Sequence, residues 1–168
     1  MATYYNISGE LTRELLEVGD NVNMSSITLT NTHVKSTCTA DLYVEKKLDG
    51  KYYLMKGVNL PLGATLSHDF TVDNTSGQYG LFLKLTAADV FTLTGTIDPA
   101  ASTTVTGVGT AFLTEISIGD EIIVSGETRT VSSIASDTSL IVSVAFSNNS
   151  NDTSPDCDPI ALVDVIIS

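Results

Sequence analysis

Apolar residues alternate with polar ones along most of this chain, and that period of two limits its fold more than any other feature. The alternation is clearest over residues 40–44, 79–85 and 140–146. Side chains of a β-strand point to opposite faces in turn, so each segment presents one apolar face to a core and one polar face to solvent. The pattern predicts an all-β fold built from antiparallel strands.

One segment departs from this pattern. Between Glu10 and Val18 the apolar residues Leu11, Leu15 and Leu16 follow roughly helical spacing, and Ser8 is a candidate N-cap. The spacing predicts a short helix, which is marginal by itself and must pack against something or lie extended.

Charge divides the chain near residue 92. The 168 residues carry 8 basic and 20 acidic side chains, a net charge of −12. Residues 1–92 hold seven of the basic residues and ten of the acids (7 − 10 = −3), whereas residues 93–168 hold one and ten (1 − 10 = −9). No run of Lys and Arg is present to neutralise a phosphate backbone, so no nucleic-acid partner is expected. The asymmetry predicts two units.

The last nine residues indicate how the two units are connected. Ile160–Ser168 alternates like a strand but is too short to be a domain, so it must pair with strands already formed. We therefore predict an antiparallel β-sandwich (jelly-roll or Ig-like) from residues 1–92 and 160–168, with a small β-barrel-like module, residues 93–159, inserted before the last strand. The last strand is expected to pair with 79–86. Two tandem domains are the alternative.

Little in the sequence indicates chemistry. Gly107 and Gly109 lack the rest of a phosphate-binding loop, and no nucleophile elbow or metal-binding histidine pair is present. His68 is aligned with apolar neighbours and is expected to be packed or at an interface. We predict no enzyme activity, no catalytic residues, no cofactor and no metal.

Two features of the sequence keep alternatives open. Asp152, Asp156 and Asp158 are expected to lie in a solvated loop, with a Ca²⁺ site as the alternative. Cys38 and Cys157 are expected to be free thiols, with one disulfide as the alternative.

Neither a secretory signal nor an apolar run of membrane-spanning length is visible, so we expect a soluble protein made in the cytosol and no membrane partner.

Residues 103–146 resemble a known module. They contain TVTGVGTAF, then IGDEIIVSG, then VSSIASDTSL. This resembles a small β module that recurs in virion proteins of tailed bacteriophages. Residues 26–86 with the terminal strand resemble, more weakly, the sandwich of phage decoration and tail-accessory proteins. The resemblance implies a structural role and a location in the virion, and it brings no catalytic residues.

Composition agrees with assembly. Only 17% of residues are charged, 42% are hydrophobic and the mean hydropathy is +0.20, which suggests surface hidden between subunits. The alternative is a monomeric β protein whose Ser and Thr replace surface charges. We expect a homo-oligomer that decorates or cements a phage capsid or tail and contacts other virion proteins, such as the major capsid or tail proteins.

Two sets of residues are candidates for these contacts. Met1 to Leu16 is expected to form an arm that orders on assembly. The predicted contact residues, from this arm and from the most basic part of the chain, are Tyr4, Tyr5, Ile7, Leu11, Lys46, Lys47 and Lys51. The alternative function is a receptor- or glycan-binding module at the tail or surface, in which tyrosines stack on sugar rings. Its candidate residues are Tyr4, Tyr5, Tyr43, Tyr52 and Tyr53.

Overall fold

The computed structural model describes residues 2–46 and 50–168, and it divides the chain into two compact units. The first unit combines Met1–Ala87 with Ala161–Ser168, and the second is Ala88–Ile160.

The described residues of the first unit form seven strands on the N-terminal side of the second unit. They are β1 (Thr3–Ser8), β2 (Thr12–Leu16), β3 (Asn23–Asn31), β4 (Cys38–Lys46), β5 (Gly50–Leu60), β6 (Thr65–Asp73) and β7 (Tyr79–Ala87).

The second unit contains seven strands and one short helix, after which the chain returns to the first unit. These elements are β8 (Phe91–Thr92), β9 (Thr96–Asp98), β10 (Thr104–Val108), α1 (Phe112–Glu115), β11 (Glu121–Val124), β12 (Glu127–Ser136), β13 (Ser139–Val142) and β14 (Asp156–Asp158), followed by β15 (Leu162–Ile167) in the first unit.

The first unit is an antiparallel β-sandwich. One sheet has the order β1-β15-β3-β6 and the other β2-β7-β4-β5. The alternation seen in the sequence places Leu81, Leu83 and Leu85 in the core from one sheet, and Val163 and Val165 from the other. The predicted all-β class and the sandwich are confirmed.

The N-terminal segment belongs to the sandwich itself. β1 pairs with β15 over its whole length, and β2 pairs with β7 in the other sheet. The predicted free arm is therefore wrong for this fold, and so is the predicted helix. The β2–β7 register shifts between Glu14 and Leu16, so Leu15 and Leu16 are both turned toward the core. This bulge breaks the period of two and imitates helical spacing.

The last strand does not belong to the sheet that was predicted from the sequence. β15 lies between β1 and β3, whereas the predicted partner, residues 79–86, belongs to the opposite sheet. The alternation of this strand nevertheless buries one face, that of Val163, Val165 and Ile167. The first boundary also differs: β8 pairs with β14 of the second unit, which moves the boundary from residue 92 to Ala87.

The second unit is a single twisted sheet rather than a closed barrel. Its order is β8-β14-β11-β12-β13-β10-β9. Among the described residues the end strands β8 and β9 do not pair with each other, so the predicted barrel-like closure is wrong. Phe112, Ile97 and Ile122 are fully buried in its own core.

The sequence has turn signals at Asp49-Gly50 and at Ser125-Gly126-Glu127, each between two alternating segments. The second signal predicts a three-residue loop, but Val124 pairs with Glu127, so the loop has two residues, Ser125 and Gly126. Both have positive φ, 50° and 81°, as a type I′ turn requires. At the other turn, Lys46 pairs with Gly50, but Asp49 lies outside the described residues.

Candidate binding face of the first unit

The motif residues between 103 and 146 hold the second unit together. The Thr110 hydroxyl donates to the Asp137 carbonyl at 2.6 Å, and an Asp137 carboxylate oxygen accepts the Leu113 N–H at 3.1 Å. A Cβ on Gly107 would lie 2.2 Å from the Thr110 hydroxyl oxygen, so only glycine fits there. These motif residues thus stabilise the fold of the second unit.

The buried acids of the second unit also have structural partners. Asp120 is fully buried and accepts the N–H groups of Ser117 and Ile160 at 2.8 and 2.9 Å. Glu115, also buried, accepts the N–H and the hydroxyl of Thr94 at 2.9 and 2.8 Å. Each carboxylate binds loop N–H groups that no strand satisfies.

The three aspartates of the predicted loop do not converge on one point, and two of them bind groups of their own unit. Asp152 accepts the N–H of Ser125 and that of Ser154 at 2.5 and 2.9 Å. Asp156 accepts the Thr92 hydroxyl at 2.8 Å, and Asp158 is exposed on β14. Within the described part of the chain, no three His, Cys, Asp or Glu side chains are grouped so that they could hold a metal ion.

The most distinctive surface of the first unit is the outer face of the sheet β2-β7-β4-β5. One row crosses all four strands, because Glu14 lies opposite Phe82, Phe82 opposite Tyr43, and Tyr43 opposite Tyr53. Tyr43 and Phe82 are stacked with ring centroids 5.5 Å apart and planes 12° apart, and Tyr53 lies 5.5 Å from Tyr43. We call Tyr43, Tyr53, Phe82, Lys51 and Lys56 the aromatic face.

Gly80 makes room for this row. A Cβ at Gly80 would lie 2.9 Å from Cε2 of Phe82, so the Phe82 ring lies over the glycine. Aromatic cover of a strand glycine restores the contact area that the missing side chain would have supplied. The Phe82 ring is therefore held flat against Tyr43.

Two lysines border the aromatic rings. Lys51 Nζ donates to the Tyr43 hydroxyl at 3.2 Å and lies 4.4 Å from the centre of that ring, while Lys56 Nζ lies 4.8 Å from the centre of the Tyr53 ring. The hydrogen bond to Tyr43 is the main cause that raises the pKa of Lys51. Both ammonium groups are held over ring faces by cation–π attraction.

The predicted contact lysines do not share one surface. Lys51 belongs to the aromatic face, whereas Lys46 lies on the opposite side of β4 and places Nζ 6.0 Å from the centre of the Tyr79 ring. Lys47 lies outside the described residues.

The predicted contact residues of the N-terminal segment are also divided. Tyr4 and Leu11 are exposed, by 70% and 63% of their surface. Ile7 is buried in the core, and Tyr5 is half-buried with its hydroxyl donating to the Leu15 carbonyl. Ile7 therefore has almost no exposed surface in the single copy.

The five tyrosines proposed for sugar stacking do not form a common platform. Tyr43 is buried beneath its neighbours, and Tyr4 belongs to the other sheet. Tyr52 and Tyr53 are adjacent on β5 and point to opposite faces of the sheet. Among these five tyrosines, only Tyr53, 45% exposed, presents an exposed ring on the aromatic face.

The remaining candidates are part of the packing. His68 is half-buried beside Phe70, with ring centroids 6.0 Å apart. Cys38 and Cys157 are both buried in the cores of different units, as thiols rather than as a disulfide. Burial raises the pKa of Cys38 to about 11, so this thiol is a poor nucleophile while folded.

Comparison with known proteins adds little to this geometry. No protein-family model matches the sequence, and no curated protein matches it significantly. A solved structure of the infectious bursal disease virus Gx strain aligns with 99% of this chain at 12% identity and a TM-score of 0.20. This chain spans only 39% of that chain, and a similarity at this level carries no argument about function. Within the described residues no helix is long and apolar enough to cross a membrane.

Proposed function

We propose that this protein is a non-enzymatic structural protein of a tailed-phage virion, which decorates or cements the capsid or tail as a homo-oligomer. The aromatic face carries the proposal: it is a pre-ordered surface of Tyr, Phe and Lys on a rigid sheet, and aromatic residues are the commonest anchors of protein interfaces. Another virion protein is its proposed partner. The resemblance of residues 103–146 to a phage module suggests the kind of particle.

The polar groups of the second unit support a structural role over a chemical one. Asp120, Glu115 and Asp137 are bonded to backbone N–H groups of their own unit. A general acid or base must instead reach the proton of a substrate. Their arrangement favours a unit that holds its shape when attached to a particle.

The decisive experiment compares two charge reversals on the β4–β5 hairpin. Lys51→Glu places a negative charge on the aromatic face, whereas Lys46→Glu makes the same change on the opposite side. We expect Lys51→Glu to weaken cosedimentation with particles lacking this protein by roughly tenfold, about 1.4 kcal/mol, and Lys46→Glu to leave it nearly unchanged. Tyrosine fluorescence of each variant verifies folding.

Other outcomes would change the proposal. A chain that is absent from purified particles and does not bind them would exclude a virion role. Equal effects of the two reversals would exclude the aromatic face as the contact. Binding of the isolated chain to a glycan array, abolished by Tyr53→Ala, would replace the proposal with the glycan-binding alternative.

A further inference from the structure

The outward edge of β1 has free backbone hydrogen-bonding groups. Thr32 N–H donates to the Leu162 carbonyl on one side of β15, and Gly9 N–H donates to the Ala161 carbonyl on the other. Backbone groups alternate in direction along an antiparallel strand, so the N–H and C=O groups of Thr3, Tyr5 and Ile7 bind β15. Those of Tyr4, Asn6 and Ser8 point away from the sheet, and no other described strand pairs with them.

The other sheet edges of the described residues carry features that block strand pairing. β2, β5 and β6 each have a register shift against their neighbour, and each carries charged residues. The edges of the second unit, β8 and β9, are only two and three residues long. Bulges, charges and short length are the usual protection against edge pairing.

β1 has none of these features. It is six residues long, its sequence TYYNIS contains no charge and no proline, and it pairs with β15 without a register shift. An uncharged, regular edge of this length is a template for another strand.

We propose that β1 pairs with β1 of a second copy of this chain, antiparallel across a two-fold axis through Asn6. In this register Tyr4 lies opposite Ser8 of the second copy, and all three outward residues of each strand exchange backbone hydrogen bonds. The two sheets join into one continuous sheet of eight strands. Tyr5, half-buried in the single copy, then lies beside the buried Ile7 of the second copy and extends the core.

The absence of charge on β1 favours a second copy of this chain as the partner that pairs with this edge. An edge without charge meets its own image without local repulsion, although each chain carries −12 overall. The nearest carboxylate in this sheet is that of Asp164 on β15, which is bonded to the Asn6 side chain at 2.6 Å. In the paired sheet the two Asp164 residues are three strand spacings apart, about 14 Å, which exceeds the Debye length of about 8 Å at physiological salt.

The inference gives the homo-oligomer of the proposed function a specific interface, and it rests on that part of the proposal alone. Its test uses the purified full chain without any particle. A monomer in solution therefore overturns the β1 pairing and leaves particle binding to be decided by the cosedimentation experiment.

The closing experiment measures the mass of the full chain by sedimentation across a concentration series, for two variants at one position. Asn6→Pro removes an N–H that points outward, so the bonds between β1 and β15 remain. Asn6→Ala keeps that N–H and removes only the side chain. We expect a dimer for the natural chain and for Asn6→Ala, and at least a tenfold weaker dimer for Asn6→Pro. Rising salt should strengthen the dimer, because it screens the net charge of each copy.

Amide hydrogen exchange of the natural chain provides a measurement that needs no variant. The N–H groups of Tyr4, Asn6 and Ser8 should become protected as concentration rises, while those of Tyr5 and Ile7 are protected throughout. A monomer at every concentration, a dimer that survives Asn6→Pro, or fast exchange of the three outward amides in a dimer would each overturn the β1 pairing. A dimer that survives Asn6→Pro, or one whose outward β1 amides exchange fast, would assign dimerisation to another surface.

Discussion

The two units use different buried side chains to bind the unpaired backbone groups of a turn, an amide in the first unit and a carboxylate in the second. In the first unit Asn74 is fully buried, and its side chain donates to the carbonyls of Asp20 and Tyr79 and accepts the Tyr79 N–H. In the second unit Asp120 is equally buried and accepts two N–H groups. An amide both donates and accepts, whereas a carboxylate only accepts. Each side chain matches the backbone groups that its turn leaves unpaired.

The charge asymmetry has another origin, because both units hold ten acids and differ only in their basic residues. By the boundaries of the structure the first unit has a net charge of 7 − 10 = −3 and the second of 1 − 10 = −9. In the second unit carboxylates such as Asp120, Glu115 and Glu127 accept backbone N–H groups. Part of the negative charge of the second unit thus stabilises the loops of that unit itself.

The largest effect is expected from two deletions, one of the last strand and one of the whole second unit. A chain lacking residues 161–168 loses β15 from between β1 and β3, so we expect the first unit to unfold completely. A chain in which a flexible linker between Ala87 and Ala161 replaces residues 88–160 should retain a folded first unit. Because β7 and β15 belong to sheets about 10 Å apart, the linker needs about five Gly and Ser residues rather than a tight turn.

Tyrosine fluorescence separates these outcomes, since all six tyrosines belong to the first unit and the chain has no tryptophan. Unfolded-protein emission from the chain without residues 88–160, together with cooperative unfolding of the chain without residues 161–168, would show that the first unit does not fold independently of the second.

Exchanging the two buried residues tests the comparison itself. Asn74→Asp places a carboxylate against two carbonyl oxygens, which we expect to destabilise the first unit by about 3–5 kcal/mol. Asp120→Asn turns an NH₂ group toward backbone donors and should cost the second unit about 1–3 kcal/mol. Urea unfolding, followed by tyrosine fluorescence and by far-UV circular dichroism, measures the two effects.

Exposed residues supply the controls for this exchange. Asn23→Asp and Asp158→Asn make the same chemical changes at exposed positions and should change stability by less than about 0.5 kcal/mol. Equal costs for the buried and exposed changes would show that the hydrogen bonds of Asn74 and Asp120 do not determine stability.

The smallest expected effect is the dependence of the second unit on pH. The Glu127 carboxylate accepts the N–H and hydroxyl of Ser147 and the N–H of Asn148, and these bonds hold the pKa of Glu127 below its usual 4.5, the Ser147 N–H being the main cause. The folded state thus favours the ionised form. Its contribution is complete above about pH 4.5 and is lost as the pH falls through the lowered pKa.

Unfolding of the natural chain and of Glu127→Gln, measured from about pH 6 to about pH 3.5, tests this expectation. The natural second unit should lose more stability over that range than the variant. Identical pH profiles would show that Glu127 contributes nothing to the acid sensitivity of the second unit.

Several sequence patterns led to the wrong partner or the wrong element. Residues 10–18 imitate a helix because a bulge in β2 places Leu15 and Leu16 side by side. The last strand has the alternation that either sheet of the sandwich requires, so its own residues could not choose between them. The aromatic face was missed because Tyr43, Tyr53 and Phe82 come from three strands whose alignment depends on two register shifts in the β4–β5 pair.

The sequence by itself determined the all-β class and the inward residues of most strands, because both follow from alternation within a few neighbouring residues. It also placed a glycine in the type I′ turn after Ser125. Only the tertiary structure decided which strands became edges, which acids became buried hydrogen-bond acceptors, and that Lys46 and Lys51 lie on opposite faces. These outcomes depend on strand register and sheet membership, where a shift of one residue exchanges the faces of a whole strand.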